Sequence, residues 1–138
     1  MAKRLYVDTS AYLCVLLGER GHKLLVKELA GAELVSSVLL VLESTRNLVR
    51  LSRDKLLSPA ELQACLERIE KDRELFALRD LTLDLCTGTT MPVVTTPRSL
   101  ELAHLRTALW FHEHAPLARF VTLDETQAAA AREAGLPV

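Results

Sequence analysis

At 138 residues, the chain is long enough for one domain with a substantial hydrophobic core. Hydrophobic residues make up 49% of it and charged residues 25%, which excludes an intrinsically disordered protein. The net charge of −1 excludes a strongly basic protein that coats nucleic acid, although it permits a local basic patch.

Cysteine usage and hydropathy indicate the compartment. Cys14, Cys65 and Cys86 are odd in number, widely spaced and without a CxxC pair, which favours a reducing cytoplasm over a disulfide framework. No apolar run in the sequence approaches the ~20 residues that span a bilayer, and the first apolar run is too short for a signal-peptide core. We therefore expect a cytoplasmic protein with no membrane partner.

The first half of the chain alternates short apolar runs with helical patterns. Gly18 and Gly31 follow the first two helical runs, and Ser58 before Pro59 is a strong helix start. In chain order, the pattern predicts strand 5–7, helix 11–17, helix 22–29, strand 34–35, helix 38–53 and a helix from 59 to about 73.

The second half continues this alternation around an irregular, Thr- and Pro-rich segment. The predicted order is strand 76–81, an unassigned segment 82–97 in which residues 87–92 and 95–97 break regular structure, helix 99–111, strand 119–122, helix 125–134 and a brief edge strand at 136–138. Strands that alternate with helices indicate a parallel sheet with helices on both faces. The predicted fold is one α/β domain over residues 1–138, a three-layer α/β/α sandwich around a central parallel sheet.

Four acidic residues, here named the acidic quartet, stand where this fold could bring them to one edge of the sheet. Asp8 and Asp124 each follow a predicted strand, Glu43 interrupts an otherwise apolar helical run, and Glu101 begins a helix. Ligands of open α/β sheets bind beyond the carboxyl ends of the strands. Four carboxylates at that edge would make a site for a hard divalent cation.

Single members of the quartet also have simpler explanations. Asp8 and Asp124 fit helix N-caps, and Glu43 fits a helix-surface glutamate paired with Arg46 or Asn47. Each explanation alone is the commoner one for such a residue. The joint arrangement of the acids is what favours a functional site.

The histidines suggest less. His112 and His114 could form a metal pair, but no further His or Cys lies at ligand spacing, so a polar helix end is favoured over zinc. His104 falls three positions after Glu101 on a similar helix face. It either contacts the acidic edge or is a satisfied core residue, and the second interpretation is favoured.

Four segments resemble the motifs of the PIN-domain family, and specifically of the VapC-type toxin ribonucleases. They are Tyr6-Val7-Asp8-Thr9-Ser10-Ala11, Val41-Leu42-Glu43-Ser44-Thr45-Arg46, Arg98-Ser99-Leu100-Glu101-Leu102-Ala103-His104-Leu105 and Val121-Thr122-Leu123-Asp124-Glu125. They follow the family's order and approximate spacing and span nearly the whole chain. Two features depart from the family pattern: Glu101 stands where aspartate is usual, and segment 87–97 replaces a continuous helix.

The resemblance implies a metal-dependent endoribonuclease, the toxin of a type II toxin–antitoxin system, that uses Mg²⁺ or Mn²⁺. Converging carboxylates repel one another, and a cation would relieve that repulsion. Asp8 and Asp124 are the expected direct ligands. Glu43 and Glu101 would ligate as well, hold metal-bound waters or orient the nucleophilic water.

Further residues take expected roles from the same resemblance. Ser10 and Thr122 would hydrogen-bond to the metal-binding acids. Arg46 and Arg50, on the helix that carries the second acid, would supply positive charge for RNA, although the same spacing also fits a solvated helix face.

The resemblance implies three partners: an RNA substrate, a cognate antitoxin protein and a second copy of the chain in a homodimer. The alternative is a non-catalytic PIN-like module that binds RNA or protein through a partly degenerate acidic site. A phosphotransfer domain with Asp8 as nucleophile is disfavoured, because Ser10 stands where such enzymes usually carry a second acid.

Overall fold

The order of the strands places the first strand inside the sheet. A computed structural model describes residues 2–95 and 98–138, and in this part of the chain four parallel strands form one sheet in the order β3-β2-β1-β4. The strands are β1 (Arg4–Val7), β2 (Glu33–Ser37), β3 (Phe76–Arg79) and β4 (Arg119–Val121). Leu5 of β1 lies opposite both Leu34 and Arg119. Because all pairings are parallel, the strands share one carboxyl edge.

Helices cover both faces of this sheet. They are α1 (Thr9–Leu17), α2 (His22–Leu29), α3 (Leu39–Arg53), α4 (Pro59–Asp72), α5 (Leu83–Cys86), α6 (Ser99–His114) and α7 (Glu125–Glu133), with a 3-10 turn at Arg73–Leu75. Within the residues described, no helix combines the length and apolarity needed to cross a membrane.

Alternate side chains of β1 enter two separate cores. Leu5 and Val7 pack with a cluster of buried residues from α1 to α4, which includes Ala11, Tyr12, Leu25, Leu40, Leu48 and Ile69. Tyr6 points to the opposite face and packs with Leu105, Ala108, Phe111, Phe120, Ala130 and Ala131, mostly from α6 and α7. This two-residue alternation is what a strand covered on both faces requires. The predicted three-layer α/β/α fold is confirmed.

A contact around Trp110 joins β3, α5 and α6. The guanidinium of Arg79, the last residue of β3, lies 4.6 Å from the centroid of the Trp110 ring. Arg79 also pairs with Asp84 of α5, with its Nη2 atom 2.8 Å from Oδ2. A guanidinium over an indole face is a favourable cation–π pair, so this contact fixes the second half of α6 against the sheet.

One element of the structure has no counterpart in the sequence prediction, and one predicted strand is wrong. Helix α5 lies at the start of segment 82–97, before its Thr- and Pro-rich residues, and its Leu85 is almost fully buried. The edge strand at 136–138 does not form. Only the Pro137 carbonyl accepts a hydrogen bond from Phe120 N, at 2.7 Å, because proline has no N–H to extend a ladder. The part of the irregular segment at Thr96 and Pro97 lies outside the described residues.

Candidate active site

One cavity at the carboxyl edge of the sheet is lined by all four residues of the acidic quartet. This acid cavity has a volume of about 210 Å³. Asp8 joins β1 to α1, Glu43 lies on α3, Glu101 lies in the first turn of α6, and Asp124 precedes α7. The parallel sheet thus brings together residues that are far apart in the sequence, as the sequence predicted for Asp8 and Asp124.

Asp8 caps α1 and is buried, with 5% of its surface exposed. Its Oδ1 atom accepts hydrogen bonds from Ser10 Oγ at 2.7 Å and from Ala11 N at 3.2 Å. Burial raises the pKa of the Asp8 carboxyl, while the hydroxyls of Thr122 and Ser10 and the nearby His104 act in the opposite direction. The N-cap explanation is therefore correct, but it leaves an ionised Asp8 costly to bury unless positive charge lies close by.

The predicted hydrogen-bond partners Ser10 and Thr122 link the ends of β1 and β4. Ser10 Oγ donates to Asp8 and accepts from Leu123 N at 2.9 Å. Thr122 Oγ1 lies 3.2 Å from Ser10 Oγ and accepts from Asp124 N at 3.1 Å. These bonds fix the spacing between the two aspartates.

Asp124 caps α7. Its Oδ1 atom accepts from the backbone N–H groups of Thr126 at 2.9 Å and Gln127 at 3.2 Å. The buried side chain of Gln127 donates in turn to the Glu101 carbonyl at 3.0 Å. This hydrogen bond joins the start of α7 to the first turn of α6. It therefore fixes the backbone of Asp124 relative to that of Glu101.

A buried chain of hydrogen bonds orients Glu43. Its Oε1 atom accepts from His104 Nε2 at 2.7 Å and from Thr9 Oγ1 at 2.9 Å. On the other side of the imidazole, His104 Nδ1 lies 2.7 Å from the hydroxyl of Tyr6. His104 is 4% exposed and Tyr6 is fully buried. With a proton on Nε2, His104 donates to Glu43, and its Nδ1 atom pairs with the Tyr6 hydroxyl, so both ring nitrogens have a hydrogen-bond partner.

The same chain sets the ionisation of its end groups. Burial acts to raise the pKa of Glu43, but the hydrogen bond and charge of His104, with the hydroxyl of Thr9, outweigh it and the pKa is lowered. Burial also raises the pKa of Tyr6 well above its usual range. Glu43 is therefore ionised at neutral pH, and the Tyr6 hydroxyl keeps its proton.

His104 has a larger role in the site than its sequence pattern indicates. It is a satisfied buried residue, as the sequence favours, and it also contacts the acidic edge, so both interpretations of this residue hold. The three-residue spacing from Glu101 was the available signal. Glu43 pairs with His104 rather than with Arg46 or Asn47, since the Asn47 side chain donates only to the backbone carbonyl of Glu43 at 3.0 Å.

Glu101 differs from the other three acids. It is half-buried, and within residues 2–95 and 98–138 its carboxylate forms no hydrogen bond and no ion pair. It lines the acid cavity and also a neighbouring cavity of about 560 Å³. Its orientation is thus the least constrained in the quartet.

The predicted RNA-contacting arginines differ in position. Arg46 lines the neighbouring cavity together with Glu43 and Glu101. Arg50 lines neither of these two cavities, and its Nη2 atom donates to Asn47 Oδ1 at 3.0 Å. Arg46 therefore lies beside the quartet, and contact of Arg50 with RNA stays a prediction.

The histidines at the end of α6 hydrogen-bond to nearby backbone groups. His112 Nδ1 accepts from Leu117 N at 3.0 Å, and His114 Nδ1 donates to the Trp110 carbonyl at 2.7 Å. This arrangement is that of a polar helix end.

The residues of the acid cavity fit a hard cation by their chemistry. Carboxylate and hydroxyl oxygens are the ligands that Mg²⁺ and Mn²⁺ prefer. Among the residues that the structure describes, no three His, Cys, Asp or Glu side chains are arranged as a ready-made metal site. Mg²⁺ needs fewer, because it keeps several waters and binds proteins through one or two carboxylates. Asp8 and Asp124, joined through Ser10 and Thr122, suit that mode.

The chain matches no protein-family model and no curated protein. The geometry of the acid cavity is therefore the basis for a function.

Proposed function

We propose that this protein is a metal-dependent endoribonuclease with a PIN-like active site in the acid cavity. The observation that carries the proposal is the convergence of Asp8, Glu43, Glu101 and Asp124 on one cavity at the carboxyl edge of a parallel sheet. Burial that raises the pKa of Asp8 is a second support, because a divalent cation would offset that cost.

Asp8 and Asp124 would hold Mg²⁺ or Mn²⁺, with Glu101 completing the rim. When bound, the cation would lower the pKa of a water and stabilise negative charge on the scissile phosphate. The chain itself keeps the two aspartates at a fixed spacing through Ser10 and Thr122.

Glu43 would orient the attacking water and accept its proton as the new P–O bond forms. The P–O bond to the leaving sugar oxygen breaks, and that oxygen takes up a proton from solvent. A general base must be unprotonated at the working pH and held within hydrogen-bond reach of its target. The lowered pKa of Glu43 meets the first condition, and its bonds to His104 and Thr9 limit its rotation. Both of those bonds go to Oε1, which leaves Oε2 for the water.

The biological role follows from the resemblance alone. It is the toxin of a type II toxin–antitoxin pair, acting in the cytoplasm as a homodimer and held inactive by a cognate antitoxin. A small neighbouring gene for a DNA-binding protein with a basic or amphipathic tail would support this role.

A non-catalytic PIN-like module is the second candidate. It is favoured by the lack of a ready-made three-ligand metal site among the described residues and by the unconstrained side chain of Glu101. A folded protein that binds RNA and cleaves none with either cation would support the module over the enzyme.

The test compares Asp8→Asn with wild type. We expect cleavage of labelled RNA with Mg²⁺ or Mn²⁺, loss of cleavage with EDTA, and a fall of at least about 100-fold in Asp8→Asn, because misplacing a catalytic group by ~1 Å can already cost that much. Asparagine is also a good N-cap, and it removes a buried charge. The metal-free variant should therefore melt at least as high as wild type, measured by circular dichroism.

Asp54→Asn is the matched control, since Asp54 is an exposed aspartate at the end of α3. It should leave cleavage unchanged. Calorimetry that gives the same Mn²⁺ affinity for wild type and Asp8→Asn would contradict the site as proposed.

A further inference from the structure

Two cavities adjoin the acid cavity, and the first lies between α3 and α6. This α3–α6 cavity, the neighbour of about 560 Å³, shares Glu43 and Glu101 with the acid cavity and is also lined by Arg46 and Arg98. The first turn of α6 forms part of its wall, and the free N–H groups of a helix start favour an anion. Positive groups thus stand directly beside the two glutamates of the quartet.

The second adjoining cavity lies along α7. This α7 cavity has a volume of about 270 Å³, shares Asp124 with the acid cavity and contains two arginines. Arg119 is neutralised there, since its Nε and Nη2 atoms each lie 2.6 Å from an oxygen of Glu28. Arg132 is exposed and forms no ion pair with any described residue. Arg132 is therefore the guanidinium of this cavity that is not held in an ion pair, and it lies in the same lining as Asp124 and Glu125.

The arginines of the α3–α6 cavity are not held in ion pairs either. Neither Arg46 nor Arg98 forms an ion pair within residues 2–95 and 98–138, and both side chains are exposed. The acidic quartet thus lies between Arg46 and Arg98 on one side and Arg132 on the other. A guanidinium binds a phosphate through paired N–H donors, so the arginines on each side suit one phosphate of a nucleic-acid backbone.

The lining of the three cavities excludes one common means of holding RNA. No Phe, Tyr or Trp side chain among the described residues lines any of them. Single-stranded nucleic acid is usually held by base stacking together with charge. Without such stacking, the arginines are the strongest binding groups of these cavities, and they favour the phosphate backbone as the bound feature.

We propose that the three cavities form one RNA groove that holds a backbone phosphate on each side of the scissile bond. Arg46 and Arg98 bind the phosphate on the α3–α6 side, and Arg132 binds the phosphate on the α7 side. The inference rests on the proposed function, because it takes the acid cavity as the place of cleavage. It adds Arg98 and Arg132 to the residues that bind substrate and predicts little preference for base identity.

The test measures RNA binding in the absence of cleavage. Binding of a labelled oligoribonucleotide to Asp8→Asn protein is followed by fluorescence anisotropy with EDTA across a salt series. For single strands, the slope of log K against log[salt] falls by about 0.7 for each phosphate that the protein no longer neutralises. We expect a reduction of about 0.7 for Arg132→Gln, about 0.7 for the double variant Arg46→Gln/Arg98→Gln, and about 1.4 for the triple variant.

Two controls separate binding from folding. Arg20→Gln removes an exposed arginine that lines none of the three cavities and should leave the slope unchanged. The triple Arg→Lys variant keeps the charge and should restore most of the slope. Exposed substitutions such as these usually change stability by less than about 0.5 kcal/mol, and circular dichroism checks that each variant is folded.

The side of each contact is tested with shortened RNA. Removing nucleotides from one end of the RNA should abolish the change in salt slope caused by Arg132→Gln. Removing them from the other end should abolish the change in salt slope caused by the double variant. Equal salt slopes for the triple variant and Arg20→Gln would overturn the proposed groove as an RNA-binding surface. Absence of measurable RNA binding by the Asp8→Asn protein would overturn it as well. Failure of the proposed function looks different: wild type would cleave nothing with either cation while the slopes still change as expected.

Discussion

At the scale of single residues, His104 connects the hydrophobic core to the acidic edge. Its ring lies between Tyr6, on the face of β1 that packs against α6 and α7, and Glu43, on the wall of the acid cavity. A glutamate side chain has several rotatable bonds, and ordering it costs conformational entropy. The His104 and Thr9 hydrogen bonds supply that ordering in the folded protein before any ligand binds. His104 is accordingly a positioning residue for Glu43.

Replacing His104 tests this positioning role. We expect His104→Ala to reduce cleavage by about 10- to 100-fold, the usual cost of losing a residue that orients an acid of a metal site, and to leave Mn²⁺ affinity close to that of wild type, because Asp8 and Asp124 are the proposed ligands. His104→Gln should recover much of that loss, because its amide can still donate a hydrogen bond to Glu43. Calorimetry with Mn²⁺ and initial cleavage rates give the two measurements.

His112→Ala is the matched control on the same helix. It removes the acceptor of the Leu117 N–H group and should cost about 1 kcal/mol of stability, with no change in the cleavage rate. Cleavage by His104→Ala at the rate of wild type would show that His104 does not position Glu43.

At the scale of secondary-structure elements, an ion pair fastens β4 to α2. Arg119 begins β4 and meets Glu28 of α2 through two parallel hydrogen bonds of 2.6 Å. About a third of each side chain is exposed, so solvent screens part of the attraction. The hydrogen bonds to Arg119 hold the pKa of Glu28 below its usual range. The pair thus contributes to stability mainly while Glu28 is ionised.

A double-mutant cycle with Arg119→Gln and Glu28→Gln measures this contribution. We expect a coupling energy of about 1 kcal/mol at pH 7, the upper end for a partly exposed pair of good geometry. Because the pKa of folded Glu28 lies below the unfolded value of about 4.3, the coupling should be complete above that pH and fall as the pH drops through the folded pKa. Urea unfolding across this pH range provides the free energies.

The exposed pair Glu70–Arg73 on α4 and the following 3-10 turn serves as the comparison. Its coupling should not exceed about 0.5 kcal/mol at any pH. A Glu28–Arg119 coupling that persists once Glu28 is protonated would contradict the assigned cause.

The elements that the sequence predicted are those with a local signal. Strand β1 and helix α4 follow from an apolar run and from the Ser58-Pro59 cap, which are visible within a few residues. Helix α5 lacks such a signal, because Leu85 is buried only through packing that involves distant elements, with α6 as its main helical neighbour. Prediction from pattern succeeds where neighbours in sequence decide the conformation and fails where tertiary contacts do.

The same distinction applies to the site. Asp8 and Asp124 could be predicted together, because parallel strands end at one edge whatever their separation in the chain. The orientation of His104 could not. Its partners Glu43 and Tyr6 lie 61 and 98 residues away, and no periodicity links such positions.

At the scale of the whole molecule, negative and positive side chains are separated in space around the site, although the net charge of the chain is only −1. The acid cavity concentrates four carboxylates, and Arg46, Arg98 and Arg132 lie on its two sides. A protein that inhibits the proposed nuclease would bind best by placing a positively charged side chain among these carboxylates. That side chain would take the place of the metal charge and would also block the groove.

We expect a cognate antitoxin to insert an Arg or Lys side chain into the acid cavity. The co-expressed complex should then cleave RNA at least about 10-fold more slowly than the free chain, since bound inhibitor leaves few free sites. Glu43→Gln should weaken the complex by about 30-fold or more, because losing one partner of a buried charge pair costs about 2 kcal/mol or more. Cleavage by the complex at the rate of the free chain would contradict this arrangement.

The contact between Arg79 and Trp110 has a spectroscopic consequence. Trp110 is the single tryptophan of the chain, and its indole is held on α6, the helix that also carries Glu101 and His104. Its fluorescence emission therefore reports on the environment of α6 without any added label. A variant that loses cleavage but keeps the emission spectrum of wild type has changed the chemistry of the site, whereas a shifted spectrum reveals that the helix itself has been displaced.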